Sequence, residues 1–199
     1  MKYDYDVFFE EKLGFIAKNS RKILDVGGGR PFQKILSRHR DLLRDKDYIT
    51  LDIDPNTKPT VVGDAHNMPF PDSSFDAVTH IYVFEHLDSP PKAAAEILRV
   101  LKPGGYMLGI MPFIHPYHAR KNAYRDLWRF SKDGIAELFD GFREIEVFKI
   151  GRYFRAVIGF LPFLWRFRGI LEPVAYILDR LFIKDSRNTT AGYIIFARK

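Results

Sequence analysis

The chain contains no cysteine among its 199 residues. That excludes disulfides, a thiolate nucleophile and cysteine-held zinc or iron–sulfur centres, and it is compatible with a reducing cytoplasm, the compartment expected here. No apolar run suits a bilayer: the richest stretch, 157–182, is broken by Arg166, Arg168, Glu172, Asp179 and Arg180. The opening Met1-Lys2-Tyr3-Asp4-Tyr5-Asp6 is polar and acidic, unlike a secretory leader. A Gly-Lys-Ser/Thr phosphate loop, an internal repeat and low-complexity sequence are all missing. The histidines and acids show no ligand spacing of a metal site, so the sequence leads us to expect no metal.

What remains is an ordinary globular composition, 46% hydrophobic and 28% charged, at a length suited to a single domain over 1–199. The formal net charge of +6 is unevenly placed. Residues 1–110 hold 15 basic and 16 acidic side chains, whereas residues 111–199 hold 16 and 9. Such a surplus either favours a phosphorylated, nucleic-acid or membrane-bound partner or is simply a solvated basic surface.

Ile23-Leu24-Asp25-Val26-Gly27-Gly28-Gly29-Arg30 reads as a strand running into a glycine-rich turn, and the pattern over 32–43 predicts a helix after it. Gly27 and Gly29 let the backbone turn sharply and approach a ligand closely. The following helix would offer unpaired N–H groups. Residues 48–52 predict the next strand, and Asp52 at its end can accept from both hydroxyls of a ribose. These features point to an adenosine-containing cofactor. The dinucleotide fingerprint wants a further glycine where this chain has Phe32, and Asp25 would repel a pyrophosphate. Asp25 suits a cationic ligand instead, such as the amino group or sulfonium of S-adenosylmethionine; its plainer role is to cap the turn.

Apolar residues at 8, 9, 13, 16 and 17 predict a lead-in helix within 1–20, placed to lie over the cofactor. Further strands are expected at 22–26, 60–62, 75–83, 105–111, 143–150 and 190–197. Helices are expected at 91–101 and from a Ser131 cap to about residue 139. Alternating strands and helices imply an α/β fold, a Rossmann-like doubly wound sheet. Residues 21–112 form its cofactor-binding half. Residues 113–199 form an acceptor-side half with an insertion at 151–186, and both follow strand ends that make the crevice of an open sheet.

Five blocks, in order, resemble the class I S-adenosylmethionine-dependent methyltransferases, the type 11 methyltransferase domain in particular. They are residues 23–29, Leu51-Asp52-Ile53, Gly63-Asp64-Ala65 through Asp76, Phe84-Glu85-His86-Leu87, and Glu96 through Gly105. Together they cover about residues 20–112. Arg30-Pro31 departs from the pattern, since many members carry another glycine or a small residue there. The resemblance implies a seven-stranded sheet, mostly parallel with an antiparallel last strand, and S-adenosylmethionine as cofactor. It implies that Asp25 orients the methionine end, that Gly27 and Gly29 give backbone approach, and that Asp52 takes the ribose. Ile53 would pack on the adenine face, Asp64 would accept from the adenine amino group, and the Ala65 N–H would donate to a ring nitrogen. Tyr82 would line the methionine or acceptor pocket, and Glu85-His86 would be structural.

The loop after the fifth strand carries His118, Asp126 and Arg129, in a His…Asp-x-Trp-Arg-Phe-Ser pattern that resembles one found in a subset of that family. His118 has the chemistry of a general base near neutral pH. Asp126 would orient it, and Arg129 would hold an anionic acceptor or pair with Asp126; a structural Asp–Arg pair is the plainer reading. Residues 157–182 would cover the acceptor pocket, form a dimer surface or lie on a membrane interface. The expected function is methyl transfer from S-adenosylmethionine to a small-molecule acceptor. Alternatives are an RNA or protein methyltransferase and a non-catalytic S-adenosylmethionine-binding scaffold.

Overall fold

The computed structural model describes residues 2–121, 123–161, 166–182 and 189–199. Strands β1 (Lys22–Val26), β2 (Asp47–Asp52), β3 (Val61–Val62), β4 (Phe75–Ile81) and β5 (Leu101–Pro112) pair in parallel. Strand β7 (Gly192–Arg198) runs antiparallel between β5 and β6 (Glu144–Lys149). The order across the sheet is β3-β2-β1-β4-β5-β7-β6, the expected mixed α/β sheet with a reversed last strand. The order changes direction between β1 and β4, so the crevice for a ligand lies outside the C-terminal ends of these strands.

Strand alternation sorts the core into two layers. Ile23, Ala77, Leu108 and Ile194 face one side, where helix α1 (Asp4–Asn19) buries Phe9, Leu13, Ile16 and Ala17. Leu24, Val78, Met107 and Ile195, each adjacent in sequence to one of these, face the other side. There α3 (Pro90–Val100) buries Ala93, Ala94, Ile97 and Val100, and α4 (Lys132–Leu138) buries Ile135 beneath its Ser131 cap. β4, buried along its length except at half-buried Asp76, supplies both layers, as a strand covered on both faces must. Helix α1 spends its apolar face on the sheet: Phe15 meets Tyr106 edge-on at 5.0 Å and Phe8 stacks on Phe148 at 4.7 Å.

The segment after the glycine turn departs from its expectation. Instead of one helix over 32–43, a 3₁₀ stretch at Lys34–His39 runs into a single turn, α2 (Arg40–Leu43). Pro31 lacks an N–H and biases Arg30 away from helical geometry. Phe32 then adopts φ +60, where a glycine would be at ease, and stacks on Tyr48 with ring centroids 4.7 Å apart. No regular helix N-terminus therefore follows directly on the glycines. β5 also starts earlier than the glycine pair suggests, because Leu101 already pairs with Phe75 and the register shifts before Ala77.

One arginine fixes the long link from β3 to β4. Arg99 donates to Glu96, to Asp72 and to the carbonyls of Met68 and Phe70, while Glu96 accepts from the Met68 N–H. Helices α5 (Tyr153–Gly159) and α6 (Arg168–Phe182) form the expected helical insertion between β6 and β7. Buried Asp179 of α6 accepts from the N–H groups of Arg152, Phe154 and Arg155, capping the start of α5 from outside. Residues 162–165 and 183–186 of the insertion lie outside the described residues. Among the described residues, no helix is long and apolar enough to cross a membrane.

Candidate active site at the C-terminal edge of the sheet

The glycine turn is closed in by what surrounds it. The Gly27 N–H donates to the Leu51 carbonyl at 2.7 Å, which pins the turn to the end of β2. Gly27 has φ +66, and a Cβ there would meet Val83 Cγ2 at 2.5 Å; a Cβ on Gly28 would meet Asp25 Oδ2 at 2.3 Å. Both positions therefore need glycine for space, and Gly27 for its backbone as well. Gly29, at φ +55, lies against Thr57.

Asp25 sits under this turn, almost wholly buried, and its Oδ1 accepts from the Thr79 hydroxyl at 2.9 Å. Burial, and then the nearby Asp25 carboxylate, push the Tyr48 hydroxyl well above its ordinary pKa, so it stays neutral. The pocket above Asp25 measures about 10 Å³, room for one water.

Asp52 ends β2 half-buried, its Oδ1 accepting from the Asp54 N–H at 3.0 Å. Asp54 is turned to the next turn instead, where it accepts from the N–H and side-chain amide of Asn56. Ile53 is 70% exposed and Val62, at the end of β3, 54%. Two aliphatic side chains thus stand in water at neighbouring strand ends. Asp64 accepts from the His66 N–H at 2.9 Å and faces the His66 ring Nδ1 at 2.6 Å, and these contacts hold its carboxyl below the usual range. Ala65 is buried beside it. Tyr82, just past β4, adopts φ +54 and is 37% exposed. A cleft of about 520 Å³ opens alongside, lined by Arg30, Phe32, Gln33, Arg40, Asn56 and Thr57. Of its two arginines, Arg30 belongs to the Arg30-Pro31 departure noted in the sequence, and Arg40 carried no signal there.

The other flank of the crevice is assembled by the loop after β5. This loop is tied to the short 3₁₀ turn Phe84–His86 that follows β4. The Glu85 carbonyl accepts from the N–H groups of Leu127 and Trp128, the Trp128 indole donates to the Leu87 carbonyl, and His86 Nδ1 lies 2.6 Å from the Arg125 carbonyl. Asp126 has a fully buried carboxylate held by both terminal nitrogens of Arg129, at 2.5 and 2.7 Å, and by the His118 N–H at 2.8 Å. Hydrogen bonding from Arg129 keeps its pKa at about 2. The His118 ring turns Nδ1 to Asp126 Oδ2 at 3.2 Å and to the Pro116 carbonyl at 3.2 Å, leaving Nε2 pointing away from them.

Arg129 is fully engaged within the loop. Besides Asp126, it donates to the carbonyls of His115, Pro116 and Trp128. These bonds use all five donors of a guanidinium. Arg129 therefore pairs with Asp126 and clamps the loop, and it has no N–H left for an anionic acceptor. One acid from outside this half meets its basic surplus, since Arg125 pairs with Asp88; the pairs of Arg155 with Glu172 at 3.0 Å and of Arg198 with Glu144 at 3.9 Å lie within it. The sequence reading set Glu85 and His86 aside as structural. The fold brings both to His118, and their separation of 32 residues or more along the chain hid this.

Sheet order, glycine turn and strand-end acids define a Rossmann-like fold of the class I S-adenosylmethionine-dependent methyltransferase type. Residues 24–109 match the family described as the methyltransferase domain. A ubiquinone/menaquinone biosynthesis C-methyltransferase UbiE of Paraburkholderia phymatum is 37% identical over 130 residues, covering 55% of this chain and 49% of that protein. The chain spans about half or less of the length of the curated relatives it matches. Among solved structures, an S-adenosylmethionine-dependent methyltransferase from Thermotoga maritima superposes with a TM-score of 0.56 at 17% identity, covering 97% of this chain and 96% of that one. A phosphoethanolamine N-methyltransferase 2 of Haemonchus contortus, solved with S-adenosyl-L-methionine, gives a TM-score of 0.59 at 17% identity, covering 98% of this chain and 57% of that one.

Proposed function

We propose that the protein transfers a methyl group from S-adenosylmethionine to a small-molecule acceptor. The observation that carries this reading is the pairing, at one sheet edge, of a glycine turn that admits no Cβ with two strand-end aliphatics and a half-buried aspartate. Asp52 takes the ribose hydroxyls, Ile53 covers the adenine, and Asp64 with the Ala65 N–H reads the adenine edge. Gly27 and Gly29 bring the backbone against the cofactor. Asp25 acts on the methionine end through a water, as its burial and the small pocket above it support. Tyr82 lines the passage between cofactor and acceptor.

The reaction is an in-line displacement. The acceptor's lone pair forms a bond to the methyl carbon while the carbon–sulfur bond breaks, releasing S-adenosylhomocysteine. The sulfonium supplies the driving force, so the protein's work is alignment and exclusion of water. Where the acceptor carries a proton, His118 takes it at Nε2, with Asp126 holding Nδ1 and Arg129 holding Asp126. Neutralised arginines around this loop support a small acceptor over a polyanion, as does the UbiE relative's name.

The test is ligand binding followed by turnover. S-adenosylhomocysteine should raise the melting temperature by mass action and NAD should not. Screening acceptors for S-adenosylhomocysteine release should then find turnover; binding with no release from any acceptor class would leave a scaffold. Equal stabilisation by NAD would overturn the cofactor assignment.

A further inference from the structure

The mechanism above uses His118 and leaves two neighbours unexplained. Glu85 is fully buried, yet it sits directly below the half-exposed acceptor loop. Its Oε1 lies 4.0 Å from His86 Nε2 and 3.9 Å from His118 Nε2. Those distances are too long for direct hydrogen bonds. The three ligand atoms lie within 4.8 Å of one another. A point equidistant from them in their plane is about 2.5 Å or less from each, only a few tenths of an ångström beyond Zn–N and Zn–O bonds of roughly 2.0–2.2 Å.

The far side of each ring is also arranged. His86 Nδ1 faces the Arg125 carbonyl at 2.6 Å, an acceptor, so Nδ1 carries the hydrogen and Nε2 keeps its lone pair. His118 Nδ1 faces the Asp126 carboxylate and the Pro116 carbonyl, again acceptors only, with the same consequence. A carbonyl or carboxylate behind each imidazole is the arrangement that fixes metal-ligating histidines. Both rings are partly open, with 16% and 28% of the side chain exposed, which gives an ion a way in.

From this geometry we infer that Glu85, His86 and His118 form a binding site for one divalent first-row transition-metal ion, with zinc as the representative. Two imidazoles and a carboxylate favour such ions over magnesium or calcium, which prefer oxygen ligands. Three protein ligands leave at least one position open towards the acceptor side. There the ion would hold an oxygen of the acceptor and favour its anion by Lewis acidity, with His118 then a ligand in place of a base. That last step rests on the methyl-transfer reading; the binding does not.

Binding is therefore measured without turnover. Metal-stripped protein is titrated by calorimetry with Zn²⁺, Co²⁺ and Mg²⁺, alongside the variants His86→Gln, His118→Gln and His115→Gln, with circular dichroism checking each fold. One Zn²⁺ per chain should bind, Co²⁺ should develop visible ligand-field absorption with nitrogen ligands, and Mg²⁺ should do neither. His86→Gln and His118→Gln should each abolish stoichiometric uptake, while His115→Gln, whose ring merely abuts His118 at 4.7 Å, should keep it. Zn²⁺ uptake that is absent in the wild type, or equal in the folded His86→Gln and His118→Gln proteins, would overturn the site and leave a polar cluster bridged by water.

Discussion

On the flank of the crevice that the proposed function gives to the cofactor, the site is built of glycines, backbone N–H groups and strand-end residues. Gly27 and Gly28 leave no room for a Cβ, Gly27 hangs from the Leu51 carbonyl, and Asp52 and Ile53 are consecutive residues at the end of one strand. On the acceptor side the materials are side chains drawn from distant segments. Glu85 and His86 come from the turn after β4, His118, Asp126 and Arg129 from the loop after β5, and the two segments are laced together by backbone bonds from Leu127 and Trp128. A site made of local backbone geometry tolerates change in everything except that geometry. A site made of converging charges depends on each partner, because removing one leaves another buried and unpaired.

The sharpest test of the cofactor side is Asp52→Ala. Losing two charge-assisted hydrogen bonds of roughly 1.5–3 kcal/mol each should weaken S-adenosylhomocysteine binding by about 10²–10⁴-fold while the melting temperature of the free protein barely moves. Calorimetry on the folded variant reads this directly, and unchanged affinity would remove Asp52 from the site. On the acceptor side, His118→Ala should lower turnover by about 10²–10⁴-fold with cofactor affinity intact, whether the ring acts as base or as ligand. Normal turnover across the pH range would make the loop purely structural.

Next in size is Arg129→Leu, which strands the buried Asp126 carboxylate. A loss of about 3 kcal/mol is expected by denaturant titration. The wild-type pair has its own pH signature. The Asp126 pKa is held at about 2, below that of an unfolded aspartate, so its contribution is present above pH 4 and is lost as pH falls towards 2. Arg129→Leu should flatten that limb. Gly27→Ala, at φ +66 and with Val83 in the way, should cost about 1–3 kcal/mol and perturb cofactor binding more than His118 variants do. If both classes of variant weakened cofactor and turnover alike, the division between the two sides would fail.

The last effect appears only in the pH dependence and concerns His80, buried in β4 against Phe84 and Phe139. Burial alone lowers its pKa to about 3, and among the described residues neither ring nitrogen has a hydrogen-bond partner. Its folded pKa is below the unfolded value of about 6.5, so stability is full above pH 6.5 and falls as pH drops from there towards 3, by at most about 1.4 kcal/mol per pH unit. His80→Met should lessen the slope of stability between pH 6.5 and 4.5, where carboxylates contribute little. An unchanged slope would mean that the ring is not held neutral. His115, also lowered by burial, contributes to the same window in both proteins.

The reversed last strand came only from the family resemblance, whereas the strands of the sheet, the glycine turn and the strand-end acids were legible in the sequence itself. Each is written by local rules: apolar alternation with period two, glycines where no Cβ fits, an acid where a strand stops. The failure over 32–43 was also local, since Pro31 and Phe32 together override an apolar helical spacing. Two things were decided by the tertiary structure alone. One is that Arg129 is consumed by Asp126 and three carbonyls, a matter of how a loop folds back on itself. The other is that His118 converges on Glu85 and His86, although the chain separates it from them by 32 residues or more. Spacing along a chain reports neighbours only within one helix or strand. When a site is closed by strands four and five ending side by side, only the register of the sheet says which side chains meet.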